Sequence, residues 1–123
     1  MLPIEIIDGN FSVCKLHNRA DAENSGTFRF LCETDKECSL VCRTEYAPAE
    51  TAAREDGWKM FRVAETLDFS LVGILAEIST RLAAGKIGIF AVSTYDTDYI
   101  LTKERDFDRA LQILTDSGYR ILK

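Results

Sequence analysis

Histidine is nearly missing from this sequence: one copy, His17, in 123 residues. Acid–base catalysis near neutral pH and imidazole-based metal sites both lean on that side chain, so neither has its usual residue here. Long apolar runs are missing too. Residues 71–76 are closed by Glu77 and residues 87–92 by Ser93, far short of the roughly 20 apolar residues that span a bilayer. The opening Met1-Leu2-Pro3-Ile4-Glu5 lacks the basic residues and apolar stretch of a secretory signal. A cytoplasmic protein is the expectation.

Positive charge is scarce as well. Fifteen Lys and Arg against twenty Asp and Glu give a net charge of -5, and no segment gathers the basic residues together. Nucleic acid and anionic membrane surfaces are therefore not expected partners. The four cysteines, Cys14, Cys32, Cys38 and Cys42, never show the two-residue gap that lets one tight turn present two thiolates to zinc. Only Cys38 and Cys42 could share a strand face, and all four are expected as small buried hydrophobes. No metal and no cofactor is expected.

What remains is ample apolar content, 46% of the chain, enough for one compact body or two packed halves. Residues 2–7, 11–17, 27–32 and 38–43 read as short strands separated by Asp8-Gly9-Asn10, residues 21–26 and Thr34-Asp35-Lys36, each with turn chemistry. Residues 46–56, polar and interrupted by Pro48, read as a connector. The expected division is a strand-rich lobe over residues 1–55 and a second domain over 56–123.

Within residues 56–123 the pattern changes. A strand over 58–64 precedes a helix over 70–84 with Leu71, Ile74, Leu75, Ile78 and Leu82 on one stripe, closed by Gly85. Strands over 87–94 and 98–103, a helix over 106–117 with Phe107, Ala110, Leu111 and Leu114 inward, and a strand over 119–122 complete it. This βαββαβ order predicts an α+β, ferredoxin-like fold: a four-stranded antiparallel sheet with both helices on one face. The strand 87–92 is apolar on both faces although the topology puts it at a sheet edge. Such an edge needs cover from the other half or from an identical subunit.

Two segments meet at one end of that sheet. Leu67-Asp68-Phe69-Ser70 opens a helix, whose unpaired N–H groups favour a carboxylate. Ser93-Thr94-Tyr95-Asp96-Thr97-Asp98 offers hydroxyls and carboxylates suited to an ammonium group. Together they match a zwitterion such as a free α-amino acid. Gly73, expected in the first helical turn, would let a ligand approach the backbone. The plainer alternatives are that Asp68 or Ser70 caps the helix, that Asp96 to Asp98 forms a polar turn, and that Tyr95 packs over it.

The stretches Gly57-Trp58-Lys59-Met60-Phe61-Arg62-Val63, Leu67-Asp68-Phe69-Ser70-Leu71-Val72-Gly73-Ile74-Leu75-Ala76 and Ile89-Phe90-Ala91-Val92-Ser93-Thr94-Tyr95-Asp96-Thr97-Asp98-Tyr99 resemble the small stand-alone ACT-domain proteins. That group is related to the arginine sensors known as CASTOR proteins and to the regulatory ACT domains of aspartate kinases. The resemblance implies ligand contacts from Asp68, Phe69, Ser70, Gly73 and Ile74 and from Ser93, Thr94, Tyr95, Asp96 and Asp98, with the ligand between two ACT units. Residues 1–55 resemble a degenerate first unit more weakly, and a complete site would then call for a homodimer.

The implied function is regulatory: binding a free amino acid without catalysis. The carboxylates Asp68, Asp96 and Asp98 lean towards a cationic or neutral amino acid over an acidic one. An enzyme would need a positioned base or nucleophile, and His17 has no spaced partner, while Asp96 and Asp98 on a hairpin turn read as solvated. The rival is a ligand-free module that recruits a partner protein through the apolar edge strand. The effector it would serve is unknown from the sequence.

Overall fold

The computed structural model describes residues 2–64 and 73–123. Its strands and helices are β1 (Pro3–Lys15), β2 (Phe30–Glu33), β3 (Cys38–Arg43), β4 (Ala53–Val63), α1 (Ile74–Ala84), β5 (Ile89–Ser93), β6 (Asp98–Lys103), α2 (Glu104–Asp116) and β7 (Arg120–Leu122), with 3-10 turns at Arg19–Ala22 and Thr44–Tyr46. The chain divides into two compact units, one of Met1–Asp8 with Lys59–Lys123 and one of Gly9–Trp58.

This division is interleaved, where a single cut near residue 55 was expected. The cause is β1. Asp8-Gly9-Asn10 has turn chemistry, yet the chain does not reverse there, because both flanks find partners. Pro3, Ile4 and Glu5 pair in parallel with Arg120, Ile121 and Leu122, whereas Phe11 to Lys15 pair antiparallel with β3, from Phe11↔Arg43 to Lys15↔Ser39. The first residues of the chain thereby join its last ones. β4 likewise starts earlier than expected, at Ala53. Its exposed start, Ala53-Arg54-Glu55-Asp56, has no apolar pattern, and backbone pairing in its place holds that end: the Ala52 N–H donates to the Lys15 carbonyl at 2.7 Å.

The unit containing Lys59–Lys123 carries the βαββαβ order of β4, α1, β5, β6, α2 and β7, as the ferredoxin-like reading expected. Its sheet is not the simple four-stranded antiparallel one. The strand order runs β7, β1, β4, β6, β5, so β1 is inserted where β7 would have paired with β4. The Ala64 N–H donates to the Pro3 carbonyl at 2.9 Å at the end of β4.

Alternation on these strands decides the core. Ile4, Phe61, Val63 and Ile100 face one side and bury with Ile78 and Leu82 of α1 and Phe107, Ala110 and Leu114 of α2, so both helices cover one face of the sheet. The Phe61 and Phe107 rings meet tilted at 45° with centroids 6.3 Å apart, within the favoured range for aromatic pairs.

Helix α1 begins at Ile74, with Gly73 as the residue before it, not inside the first turn as expected. It closes through paired bonds from Lys86 N–H to Ala83 O at 2.9 Å and from Ile87 N–H to Leu82 O at 3.0 Å, the Schellman arrangement. Lys86 holds its left-handed position at φ 61°. Gly85 instead matters for space, since a Cβ there would stand 2.5 Å from Ile113 Cδ1.

In Gly9–Trp58 the strand order is β2, β3, β1. Cys14, Leu16, Ala22, Cys38, Leu40 and Cys42 form its core with Ala47 packed against them. Cys32 departs from the expectation and is exposed. It lies on β2, whose residues Leu31, Cys32 and Glu33 are all exposed, so that strand offers it no covered face.

Candidate functional site

The connection from β5 to β6 is a closed polar turn. The Thr94 N–H donates to the Thr97 carbonyl at 2.8 Å, and the Thr94 hydroxyl donates to the same oxygen at 3.0 Å. Below the turn Ser93 and Asp98 stand opposite in register, and the Ser93 hydroxyl donates to Asp98 Oδ1 at 2.6 Å. Ser93 and Asp98 therefore spend a hydrogen bond on each other, and Thr94 spends its bonds on Thr97. Tyr95 at the tip is 81% exposed.

One further bond orients this turn. The Thr97 hydroxyl donates to the carbonyl of Val63, the last residue of β4, at 2.8 Å. The chain leaves β4 there and reaches α1 at Ile74, so the turn is tied to the start of that connection. Three of the expected contacts, Asp68, Phe69 and Ser70, lie outside the described residues. Gly73 is exposed at φ 87°, a left-handed conformation that a residue with a Cβ resists. Its carbonyl takes the first helical bond, from the Glu77 N–H at 2.8 Å. Ile74 is partly buried and packs against the core.

A hollow of about 200 Å³ opens beside the turn, lined by Glu5, Arg62, Val63, Ala64, Asp96, Thr97 and Tyr99. The guanidinium of Arg62 is held on two sides. Its Nε and Nη2 each reach Glu5 Oε1 at 2.9 Å, and its Nη1 donates to the Tyr99 hydroxyl at 3.2 Å, with the Tyr99 ring centroid 5.8 Å from the guanidinium carbon. The Tyr99 hydroxyl first, and the Glu5 carboxylate with it, raise the Arg62 pKa against the opposing cost of burial. The cation is fixed in place and in charge.

Of these lining residues only Asp96 was expected as a contact. Glu5, Arg62, Thr97 and Tyr99 were missed, although a signal was present for two of them. Phe61, Val63 and Ile100 are core residues, so period-2 alternation puts Arg62 and Tyr99 together on the other face. Glu5 could not be found that way, because the sequence does not reveal that β1 is inserted beside β4.

A larger hollow, about 410 Å³, lies within Gly9–Trp58 and is lined by Arg19, Ala20, Ala22, Glu23, Arg29 and Leu31. There Arg29 Nη1 donates to the Ala22 carbonyl at 2.9 Å and the Glu23 carbonyl at 2.8 Å. That guanidinium caps the end of the 3-10 turn, and this hollow has the weaker chemistry of the two despite its size. Among the described residues no three His, Cys, Asp or Glu are grouped to hold a metal, and no helix is long and apolar enough to cross a membrane.

The family model for the ACT domain matches residues 53–116. A solved structure from Agobacterium tumefaciens is similar at 27% identity and a TM-score of 0.88, over 98% of this chain and 92% of that one. A Vibrio cholerae structure, described as a protein of unknown function and possible transport protein, is similar at 21% identity and a TM-score of 0.73, over 94% and 88% of the two chains. The aspartate kinase of Clostridium acetobutylicum matches at 12% identity and a TM-score of 0.65, over 89% of this chain but 33% of the kinase. The first two are similar over nearly their whole length, and this chain spans about a third of the enzyme.

Proposed function

This chain belongs to the ACT-domain family, and on that premise we propose that it is a regulatory module that binds a free amino acid between two ACT units without transforming it. The family is one of regulatory domains, which typically bind amino acids. The observation that carries the reading here is the Thr97-to-Val63 bond, which ties the polar turn of residues 93–98 to the point where the chain leaves β4. Acidic groups of the turn then stand near the start of the segment that leads into α1, where they suit the ammonium group of a zwitterion.

On this reading Asp68, Phe69, Ser70 and Gly73 meet the ligand from one side and Ser93 to Asp96 and Asp98 from the other. A cationic or neutral amino acid suits Asp96 and Asp98 better than an acidic one. The protein works as a cytoplasmic homodimer, with Gly9–Trp58 as a degenerate ACT-like unit. Thermal melting against the twenty free amino acids tests it. A ligand at 100 times its Kd adds about 2.7 kcal/mol to stability, and at least one amino acid is expected to do so. No shift with any of the twenty, on folded protein, sinks the reading.

A second reading has its own observation. β5 ends the strand order of its unit, and Ile89, Phe90 and Val92 on it are only half-buried. A partner protein could add a strand there. Retention of a partner by protein that shifts with no amino acid would favour it.

A further inference from the structure

The hollow beside the turn has a specific chemical arrangement. One fixed cation, Arg62, shares it with the carboxylates of Glu5 and Asp96, a balance that suits neither a free anion nor an apolar molecule. At about 200 Å³ it falls below the ~300–1,000 Å³ of sites that hold drug-sized ligands. A molecule that fits it is small and carries both charges.

Arg62 is also preorganised. A guanidinium has five N–H donors in a planar fork that matches a carboxylate. Here its plane is set by Glu5 through Nε and Nη2 and by Tyr99 through Nη1. A side chain already fixed in one geometry loses little entropy when a ligand arrives.

We propose that Arg62 reads the carboxylate of the bound amino acid, with Glu5 and Tyr99 as its positioning residues and Asp96 receiving the ammonium group. This rests on the amino-acid-binding reading above and deepens it. The ligand class becomes small α-amino acids with both the carboxylate and the amine unmodified. Peptides blocked at either end are excluded.

The test pairs ligand chemistry with a protein variant, which isolates one interaction. Calorimetric titrations use whichever amino acid shifts the melt, together with its carboxamide, on the parent, Arg62→Met and Arg62→Lys, each checked for folding by circular dichroism. A charge-assisted hydrogen bond lost from a partly buried site weakens binding by about 10- to 100-fold. The parent should show that preference for the acid over the amide, and Arg62→Met should bind both equally and weakly. Arg62→Lys keeps the cation beside Glu5 and loses the fork, so it should retain only part of the preference even if Arg62→Met does not fold.

An undiminished acid-over-amide preference in the variants overturns the role of Arg62 and leaves amino-acid binding intact. Failure of the folded parent to bind any amino acid removes the function reading and this inference with it.

Discussion

The two units build their cores from different materials. The unit of Lys59–Lys123 with Met1–Asp8 buries Phe61, Ile78, Leu82, Ile100, Phe107 and Leu114 between one sheet face and two amphipathic helices. Gly9–Trp58 clusters three cysteines, an alanine and two leucines and also buries Phe11 and Val41, with 3-10 turns and no α-helix among the described residues. The cysteines and the alanine of that cluster bury less apolar surface each, at roughly 25 cal/mol per Å², and hydrogen bonds between polar side chains help to hold the unit. Ser12 is fully buried, and its hydroxyl donates to Asp56 Oδ1 at 2.5 Å and meets Thr44 Oγ1 at 2.9 Å. Arg54 Nε donates to the same Asp56 oxygen at 2.7 Å. The contrast implies that the first unit is sensitive to lost volume and the second to lost protons and hydrogen bonds.

The largest effect expected from this contrast is in the helical unit. Phe61→Ala removes a fully buried ring that meets Phe107 and should cost about 3–5 kcal/mol, read as a fall in the chemical denaturation midpoint. A loss under about 1 kcal/mol would mean that this core is not the stability centre of its unit.

Next comes the cysteine core. Burial, with the neighbouring Cys14 adding to it, pushes the Cys42 thiol from the ordinary 9.0 up to about 11. The folded state thus holds this proton more tightly than the unfolded chain. The resulting stability is fully present below pH 9 and is lost as pH rises towards 11. The parent should lose more stability over that window than Cys42→Ala does. Below it, thiol reagents should modify exposed Cys32 in the folded protein and reach Cys14, Cys38 and Cys42 only on unfolding. Equal reactivity of all four would contradict the packed cysteine core.

The smallest stability change is at the site. Gly73→Ala introduces a Cβ with nothing within 4 Å of it but at φ 87°, a conformational cost of about 1–2 kcal/mol. The same substitution should abolish any ligand-dependent shift. If it left both the melt and the shift unchanged, Gly73 would have no role in the turn into α1.

Periodicity made the helical unit legible. Ile74, Ile78 and Leu82, and then Phe107, Ala110 and Leu114, repeat at helical spacing, and β6 and β3 appear with the ends expected for them. The rest failed for identifiable reasons. A turn motif at Asp8-Gly9-Asn10 does not reverse a chain whose flanks both find strand partners, and the polar start of β4 is held by backbone bonds that leave no side-chain pattern. Because β1 lies beside β4, far from it in sequence, the position of Glu5 beside Arg62 depends on tertiary pairing alone. Asp96, which lines the hollow, was among the expected contacts because charge on a hairpin turn shows locally. Arg62 and Tyr99 required the two strands to be read against each other.

Amide chemical-shift mapping with the amino acid that shifts the melt tests the location of the site most directly. The expected perturbations cluster on Gly73 and Ile74, on Thr94 to Asp98, and on Arg62 and Tyr99, with Arg19 to Leu31 unmoved. Perturbations gathered instead on Arg19, Ala20, Arg29 and Leu31, with the turn of residues 93–98 unmoved, would contradict it.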